Sequence, residues 1–394
     1  MTKIELHILQ NFAPSNLNRD DTGAPKDCEF GGYRRARISS QCFKRAIREA
    51  FKVGSVLPAE SLGARTKRLV QQIADDLVRR NHSEVDALAA AAAAISGAGF
   101  GVKGADEDYK TEYLLFLPRR SIAAVAGILH DNWDAISKVV AAGQGKAVGE
   151  EKSKKKSQAK GDFPKELGGQ ILQVLKDGSK TPDLALFGRM IADDPSWNID
   201  AACQVAQAIS TNRMSMDFDF FTAVDDLRGN DTTGSDMMGT VQFSSACFYR
   251  YLVVDCAALA KNLGDPAMTE PCLRAFLYAA LEAIPTGKQN SMAAHNPPSY
   301  VLTVVRDGGA PVSLANAFLK PAKPTEGKDL VDASIAALED YLVATTKMAG
   351  ARGVSKRVSV ADRSLSAAEG VVRAMEVASL IEETVAAATR AAHA

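Results

Sequence analysis

The 394-residue chain lacks an excess of charge of either sign. Its 47 lysines and arginines equal its 47 aspartates and glutamates in number, so affinity for a charged partner must come from charges clustered locally. It also lacks an uninterrupted apolar run of about 18 residues, the length that a membrane-spanning helix needs. The first residues, MTKIELHILQ, lack the regions of a signal peptide. We therefore expect a globular, cytoplasmic protein.

The residues that most often build metal sites are few and scattered. None of the six cysteines belongs to a CxxC pair, and the five histidines do not form an HExxH motif. We therefore expect reduced thiols, no structural metal and no cofactor. Serine hydrolase chemistry is not indicated, because no GxSxG motif is present. Gly99, Gly101 and Gly104 match GxGxxG, but they follow a helical stretch instead of a strand, which favours an ordinary loop.

A strongly basic segment near the start of the chain gives the clearest functional signal. From Tyr33 to Arg48 it carries six basic residues and no acidic one. GGYRRARI alternates as a strand does, which predicts that Arg35 and Arg37 leave the sheet on one face. Ser39 or Ser40 then caps a helix that runs to about Phe51.

One arc of this helix is apolar, and the opposite arc carries Gln41, Lys44, Arg45 and Arg48. A helix start that is preceded by arginines offers free N–H groups, the positive end of the helix dipole and guanidinium donors. This junction therefore predicts a phosphate-binding surface, with a solvated cationic face as the alternative.

The loop before the junction is acidic and has two interpretations. Asp20, Asp21, Asp27 and Glu29 are close enough in sequence to form a site for metal-dependent phosphodiester chemistry. Alternatively, Arg19-Asp20-Asp21 in a Gly/Pro-rich segment is typical of a solvated loop that pairs with itself.

Other parts of the chain also carry signals for secondary structure. Residues 3–8 alternate and predict a half-buried strand. Residues 211–245 predict a long hairpin with an apolar stripe, which consists of Met214, Met216, Phe218 and Phe220. Such a stripe is typical of either core packing or a ligand surface. Strands at 246–255 and 299–306 around a helix at 270–284 predict a β-α-β unit. Helices are also predicted at 199–210 and from about Ser366 to the end of the chain.

A lysine-rich segment at 143–165 shows no apolar periodicity and predicts a surface loop. The two interpretations are a solubilising insertion and a contact to nucleic acid such as duplex DNA. The lysines concerned are Lys152, Lys154, Lys155, Lys156 and Lys160.

Five blocks together resemble one family. They are NLNRDDTGAPKDCEFGGYRRARISSQCFKRAIR, TPDLALFGRM, FDFFTAVDDL, FSSACFYRY and PTGKQNSMAAHNPPSYVLTVVR. In this order they resemble the CasC (Cse-type) backbone subunits of the type I-E CRISPR Cascade complex, over about three-quarters of the chain. The lysine-rich loop and the C-terminal part are less diagnostic.

The resemblance implies a hand-shaped α+β protein of the RAMP superfamily with a ferredoxin-like or RRM-like palm. The implied parts are the palm (1–60 and 246–310), helical fingers (61–210), a thumb hairpin (211–245) and a C-terminal helical region (311–394). Copies are expected to polymerise along one CRISPR RNA (crRNA), whose phosphates the palm holds. Other Cascade subunits, target DNA and a separate helicase-nuclease are the further partners implied.

The residues expected to bind RNA have two origins. Family positions match Arg19, Lys26, Ser39, Gln41, Lys44 and Arg48. Arg34, Arg35, Arg37, Ser40 and Arg45 are added on physical grounds, and the thumb and palm segments of the resemblance add Met214, Met216, Lys288, Gln289 and Asn290.

The aromatic motif with which RRM domains stack on bases is absent from the sequence. We therefore expect contacts to the RNA phosphates instead of recognition of individual bases. We expect no catalytic activity. The rival functions are an Asp-dependent target-RNA endonuclease of the type III kind and a single-strand RNA-binding module that acts alone.

Overall fold

A computed structural model describes residues 1–53, 57–145, 163–191, 194–223 and 237–393. The chain is a mixed α+β protein, as predicted. Among the described helices, none is long and apolar enough to cross a lipid bilayer.

Twelve strands, β1 to β12, lie within these residues. They are Thr2–Ser15, Asp27–Phe30, Tyr33–Ile38, Gly63–Thr66, Leu115–Pro118, Cys203–Val205, Ala208–Ser210, Asp217–Ala223, Met237–Asp255, Tyr300–Asp307, Val354–Ala361 and Val372–Arg373. Ten form one sheet in the order β12-β11-β10-β1-β9-β7-β3-β2, with β6 and β8 also paired to β9. β4 and β5 pair separately.

Twelve helices, α1 to α12, lie within the same residues. They are Ser40–Val53, Leu69–Arg79, Glu84–Gly97, Arg119–Asp131, Trp133–Gly145, Lys165–Lys176, Pro182–Phe187, Cys256–Leu263, Thr269–Glu282, Gln289–Met292, Leu330–Ala349 and Val377–His393. The chain divides into two compact units. Unit 1 comprises 1–56, 202–259 and 269–394, and unit 2 comprises 57–201 and 260–268.

Unit 1 is built around β1, which β9 and β10 flank with antiparallel pairing. β9 and β10 are therefore parallel to each other, and α9 between them completes the predicted β-α-β unit. One side of the sheet packs on α11, through a cluster that includes Leu302, Ile335 and Leu338. In unit 1, helix α9 also packs against both α1 and α12.

β1 is buried on both faces, so the prediction of a half-buried strand is wrong. Glu5 and His7, expected to face solvent, are 0% and 1% exposed. The Glu5 carboxylate accepts from Arg306 Nε at 2.8 Å and from the Tyr251 hydroxyl at 2.8 Å. His7 Nδ1 lies 2.9 Å from the Tyr249 hydroxyl. Polar partners on neighbouring strands and loops let a polar strand face become interior.

Two other local predictions are wrong. The expected helix at 199–210 is replaced by β6 and β7, which pair with β9. Its Ala, Val and Ile content suits either structure, and the neighbouring strand decides. The last helix begins at Val377 instead of near Ser366, and β11 and β12 extend the main sheet before it.

Unit 2 is mainly helical. Four fully buried alanines of α3 allow close helix packing, and they are Ala87, Ala90, Ala91 and Ala94. Ser83 Oγ accepts from the Asp86 N–H at 3.2 Å and caps the start of α3. Arg189 donates from Nε to Trp197 O at 2.9 Å, and burial lowers its pKa to about 10.

Candidate nucleic-acid interface

The start of α1 is tied to the loop before it. Ser39 Oγ accepts from the Cys42 N–H at 3.3 Å, so Ser39 is the helix cap and Ser40 begins the helix. The Ser39 N–H donates to Asn18 Oδ1 at 2.8 Å. Since the first turn of α1 contains no acidic residue, its dipole favours an anion at this end. Gln41 is exposed there, whereas Ser39 is 9% exposed.

The two faces of α1 follow the predicted pattern with one exception. Phe43 and Ile47 are buried against the sheet, and Arg45 is exposed. Lys44 is half-buried. Arg48, predicted to lie on the cationic face, is only 8% exposed. The exposed cationic arc is therefore narrower than the sequence indicates.

The three arginines of β3 have different environments. Arg34 is exposed and pairs with Asp27 at 2.6 Å. Arg37 is half-buried, and its guanidinium donates to Gln207 Oε1 and to the Asp27 carbonyl. Arg35 is 0% exposed. The prediction that Arg35 and Arg37 leave the sheet together is therefore wrong.

Arg35 is buried because backbone carbonyls surround its guanidinium. It donates to Ser210 O at 3.0 Å, to Thr211 O at 2.7 Å, and to Phe318 O and Leu319 O. Burial lowers its pKa from the usual arginine value. Arg35 thus joins β3 to two distant loops and is not part of the exposed patch.

The first loop, residues 16–26 between β1 and β2, is stabilised by hydrogen bonds within itself. Asp20 Oδ1 accepts from the Thr22 hydroxyl at 2.8 Å, from the Thr22 N–H at 2.9 Å and from the Ala24 N–H at 3.0 Å. The hydrogen bond from the Thr22 side chain is the main cause that lowers the pKa of Asp20. Arg19 is exposed beside it, and Lys26 is half-buried.

A cleft of about 700 Å³ lies between this loop, α1 and residues 285–287. Arg19 and Arg45 line it, together with the carboxylates of Asp20, Asp21 and Glu49. It therefore brings together two segments that are far apart in sequence, and its charge is mixed. Within the described ranges, no three His, Cys, Asp or Glu side chains gather as a metal site requires.

The 285–294 loop lies directly on the first loop. A Cβ atom at Gly287 would fall 2.4 Å from Leu17 O, so only glycine allows this approach. Gln289 Nε2 donates to Pro285 O at 3.0 Å and to Ala294 O at 3.4 Å. Its amide hydrogens are thus used within the loop, which leaves Lys288, half-buried, and Asn290, exposed, as candidate contacts.

The predicted hairpin at 211–245 is confirmed as β8 and the first part of β9. Its strands pair from Asp217 opposite Phe243 to Ala223 opposite Met237. Phe218 and Phe220 share a face and are 65% and 63% exposed, and Met238 is 68% exposed.

The apolar stripe divides at the base of the hairpin. Met214 packs partly buried against the core, and Met216 is half-buried. The outer part of the stripe is therefore surface and not core.

Asn16 and Asn18 are site residues that the sequence predictions missed. Asn16 is 1% exposed and donates from Nδ2 to Gly23 O and to Gln242 O, both at 2.9 Å. It ties the first loop to the base of the hairpin. The NLN repeat at the start of a Gly/Pro-rich loop is the only local signal for this role. The predicted lysines at 152–160 lie outside the described residues.

Comparison with known proteins gives matches over almost the whole chain. The family model described as "CT1975-like protein" matches residues 4–387. A chain of a solved structure titled "CRISPR RNA-guided surveillance complex, pre-nicking" is 30% identical, with a TM-score of 0.84, and the match covers 98% of this chain and 100% of that chain.

A chain of a second structure, titled "CRISPR RNA-guided surveillance complex", is 26% identical, with a TM-score of 0.74 and coverage of 98% and 99%. No curated protein matches. These matches confirm the resemblance to Cascade backbone subunits that the sequence blocks indicate.

Proposed function

This chain belongs to the CT1975-like protein family, and from that membership we propose that it is a crRNA-binding backbone subunit of a type I-E Cascade complex. Copies polymerise along the crRNA and display it for pairing with target DNA, in the cytoplasm. The other Cascade subunits and a recruited helicase-nuclease are its further partners.

The observation that carries this proposal is the joining of the first loop, α1 and the 285–294 loop around one cleft. These segments belong to different resemblance blocks, yet Gly287 touches Leu17 and the cleft is lined from both. Arg19 and Arg45 are exposed there, next to a helix start without acidic residues. Cations beside free N–H groups favour a phosphate chain.

The RNA contact follows the backbone and not the base sequence. The exposed donors of the junction are guanidinium and amide groups, which suit phosphate oxygens and carry no sequence information. Since a guide must be held whatever its sequence, target choice passes to base pairing. The exposed Phe218 and Phe220 supply stacking surfaces that tolerate any base.

The test is assembly on RNAs of increasing length, followed by light scattering. We expect the bound protein mass to rise in steps proportional to RNA length and to be equal for unrelated sequences. A monomer with one short, fixed site on every RNA would instead support the single-strand RNA-binding module.

We propose that the subunit has no nuclease activity of its own. The support is Asp20, whose Oδ1 already accepts three hydrogen bonds within its loop. The assembled protein is incubated with complementary RNA and Mg²⁺. Cleavage at regular spacing that is lost in Asp21→Ala contradicts this proposal and supports the Asp-dependent endonuclease.

A further inference from the structure

A second cleft, of about 620 Å³, opens on unit 1 between the end of α9 and the start of α12. Leu281, Ile284 and Val377 contribute to its mainly apolar lining. Met375, two residues before Val377, is 97% exposed. Exposed apolar surface beside an apolar cleft is typical of an interaction site.

The charges of this cleft are acidic. Its lining within the described residues includes Glu282, Glu376 and Asp362 and contains neither lysine nor arginine. Arg363 pairs with Asp362 at 2.7 Å. Glu282 and Glu376 are exposed, and neither pairs with a cation in the part of the chain that the structure describes. We call this surface the acidic cleft, and it repels phosphate and suits an apolar group beside a cation.

Unit 2 carries a surface with the complementary properties. Tyr113 and Leu114 are 50% and 57% exposed just before β5, and Lys67 and Arg68 are exposed just after its partner β4. Thr111, which is 1% exposed, donates from its N–H to Lys67 O at 2.8 Å and from its hydroxyl to Tyr113 O at 2.7 Å. These four exposed residues form what we call the basic apolar patch.

We propose that the basic apolar patch of one copy docks in the acidic cleft of the next copy. The patch offers two apolar side chains and two cations, and the cleft offers an apolar lining and two exposed carboxylates. The two surfaces differ, so the contact is head-to-tail, and a head-to-tail contact produces an open array wherever its rotation does not close into a ring. This inference rests on the proposed function, because it names the contact through which copies repeat along RNA.

Charge reversal tests the contact between copies and leaves the proposed RNA-binding residues of the first loop and α1 unchanged. One variant carries Glu282→Lys with Glu376→Lys, and the other carries Lys67→Glu with Arg68→Glu. Each variant alone sets like charges against each other, so we expect at least about tenfold weaker assembly on long RNA. Mixing the two variants restores opposite charges at every contact of an alternating array, so we expect the mixture to assemble as the wild type does.

Controls separate this contact from RNA binding and folding. Glu326→Lys and Lys138→Glu reverse exposed charges outside both surfaces and are expected to assemble normally. Both reversal variants are expected to bind an RNA that holds one subunit as the wild type does. A reversal variant that loses its thermal transition is replaced by its glutamine counterpart, which is expected to weaken assembly less.

Several outcomes overturn the inference. Normal assembly of either reversal variant alone rejects it, and so does a mixture that fails while the controls assemble. In both cases the proposed function stands, because the wild type still grows with RNA length. A wild type that neither binds RNA nor grows rejects the proposed function and this contact together.

Discussion

The main sheet and the hairpin that extends from it differ in which side chains they bury. The sheet buries charged arginines, and the hairpin exposes apolar phenylalanines. In the sheet, Arg35 and Arg250 are 0% and 2% exposed, whereas in the hairpin Phe218 and Phe220 are more than half exposed. These arginines can be buried because fixed carbonyl and amide oxygens accept hydrogen bonds from their terminal Nη groups. The phenylalanines are exposed because, among the described strands, β8 pairs only with β9, and each of its residues from 217 to 222 is exposed.

The difference separates residues that hold the fold from residues left for a partner. Arg250 donates to Gln10 Oε1 at 2.6 Å and lies over the Phe43 ring at 4.2 Å, while burial lowers its pKa to about 9. It therefore fixes α1 on the sheet beneath the junction. Large exposed aromatics without such contacts are typical of binding surfaces. Charge alone is thus a poor guide to RNA contact in this chain.

The largest expected effect is the loss of Arg35. Arg35→Ala removes donors from four backbone carbonyls and leaves a cavity, so we expect the free energy of unfolding to fall by about 3 kcal/mol or more. Thermal or urea unfolding of the purified protein measures it.

The matched control is Arg34→Ala in the same strand. Arg34 makes an exposed ion pair, which contributes about 0–1 kcal/mol. Equal stability losses for Arg34→Ala and Arg35→Ala would contradict the distinction between the buried and the exposed arginine.

The burial of Arg35 also shows where sequence prediction ends. The cap at Ser39 or Ser40 and the apolar arc of α1 are predicted correctly because each depends on neighbours within one or two helical turns. The hairpin is predicted correctly because its two strands follow each other in sequence and pair with each other. The carbonyls that bury Arg35 lie 176 and 283 positions away, at Thr211 and Phe318. No local pattern contains them. Similarly, the Ala-rich 199–210 segment forms strands because it pairs with β9, and its composition does not reveal this.

His7 gives the next effect, through pH. Burial, with Arg306 and Arg357 nearby, lowers its pKa from 6.5 to about 3. Between these values the unfolded chain binds a proton that the folded chain does not. Stability is therefore fully present above pH 6.5 and falls as the pH drops toward 3. From pH 7 to pH 5 this group alone is expected to cost about 2 kcal/mol.

The measurement compares unfolding of the wild type and His7→Gln at both pH values. Glutamine does not titrate and can still bond the Tyr249 hydroxyl, so the variant is expected to lose less stability between pH 7 and pH 5. An identical loss in both proteins would show that His7 is not buried in its neutral form.

Substitutions in the hairpin, unlike those of Arg35 and His7, are expected to change RNA affinity and leave stability nearly unchanged. Phe218→Ala with Phe220→Ala is expected to change stability by no more than about 0.5 kcal/mol, because both rings are mostly exposed. RNA binding is expected to weaken by about 1–3 kcal/mol for each base that loses its stacking partner. Fluorescence anisotropy with labelled single-stranded RNA measures the affinity.

Phe221 is the control within the same strand. Its ring packs over Gly239 on the other face of the hairpin, where a Cβ atom would lie 2.4 Å from it. Phe221→Ala is expected to reduce stability more than RNA affinity. If only Phe221→Ala lost RNA affinity, the RNA would bind the face of Phe221 and not the face of Phe218 and Phe220, which contradicts the prediction.

The smallest expected effect concerns the exposed cations of the junction. Arg45→Gln removes one charge beside the cleft and is expected to leave stability within about 0.5 kcal/mol. If Arg45 contacts one phosphate, the slope of log affinity against log salt becomes shallower by about 0.7, equally for unrelated RNA sequences. Lys52→Gln, at the end of the same helix and already paired with Glu49 at 2.8 Å, is expected to leave the slope unchanged. A loss of affinity limited to one RNA sequence would instead mean that Arg45 contacts bases. Arg45 would then belong neither with the buried structural arginines nor with exposed arginines that bind phosphate.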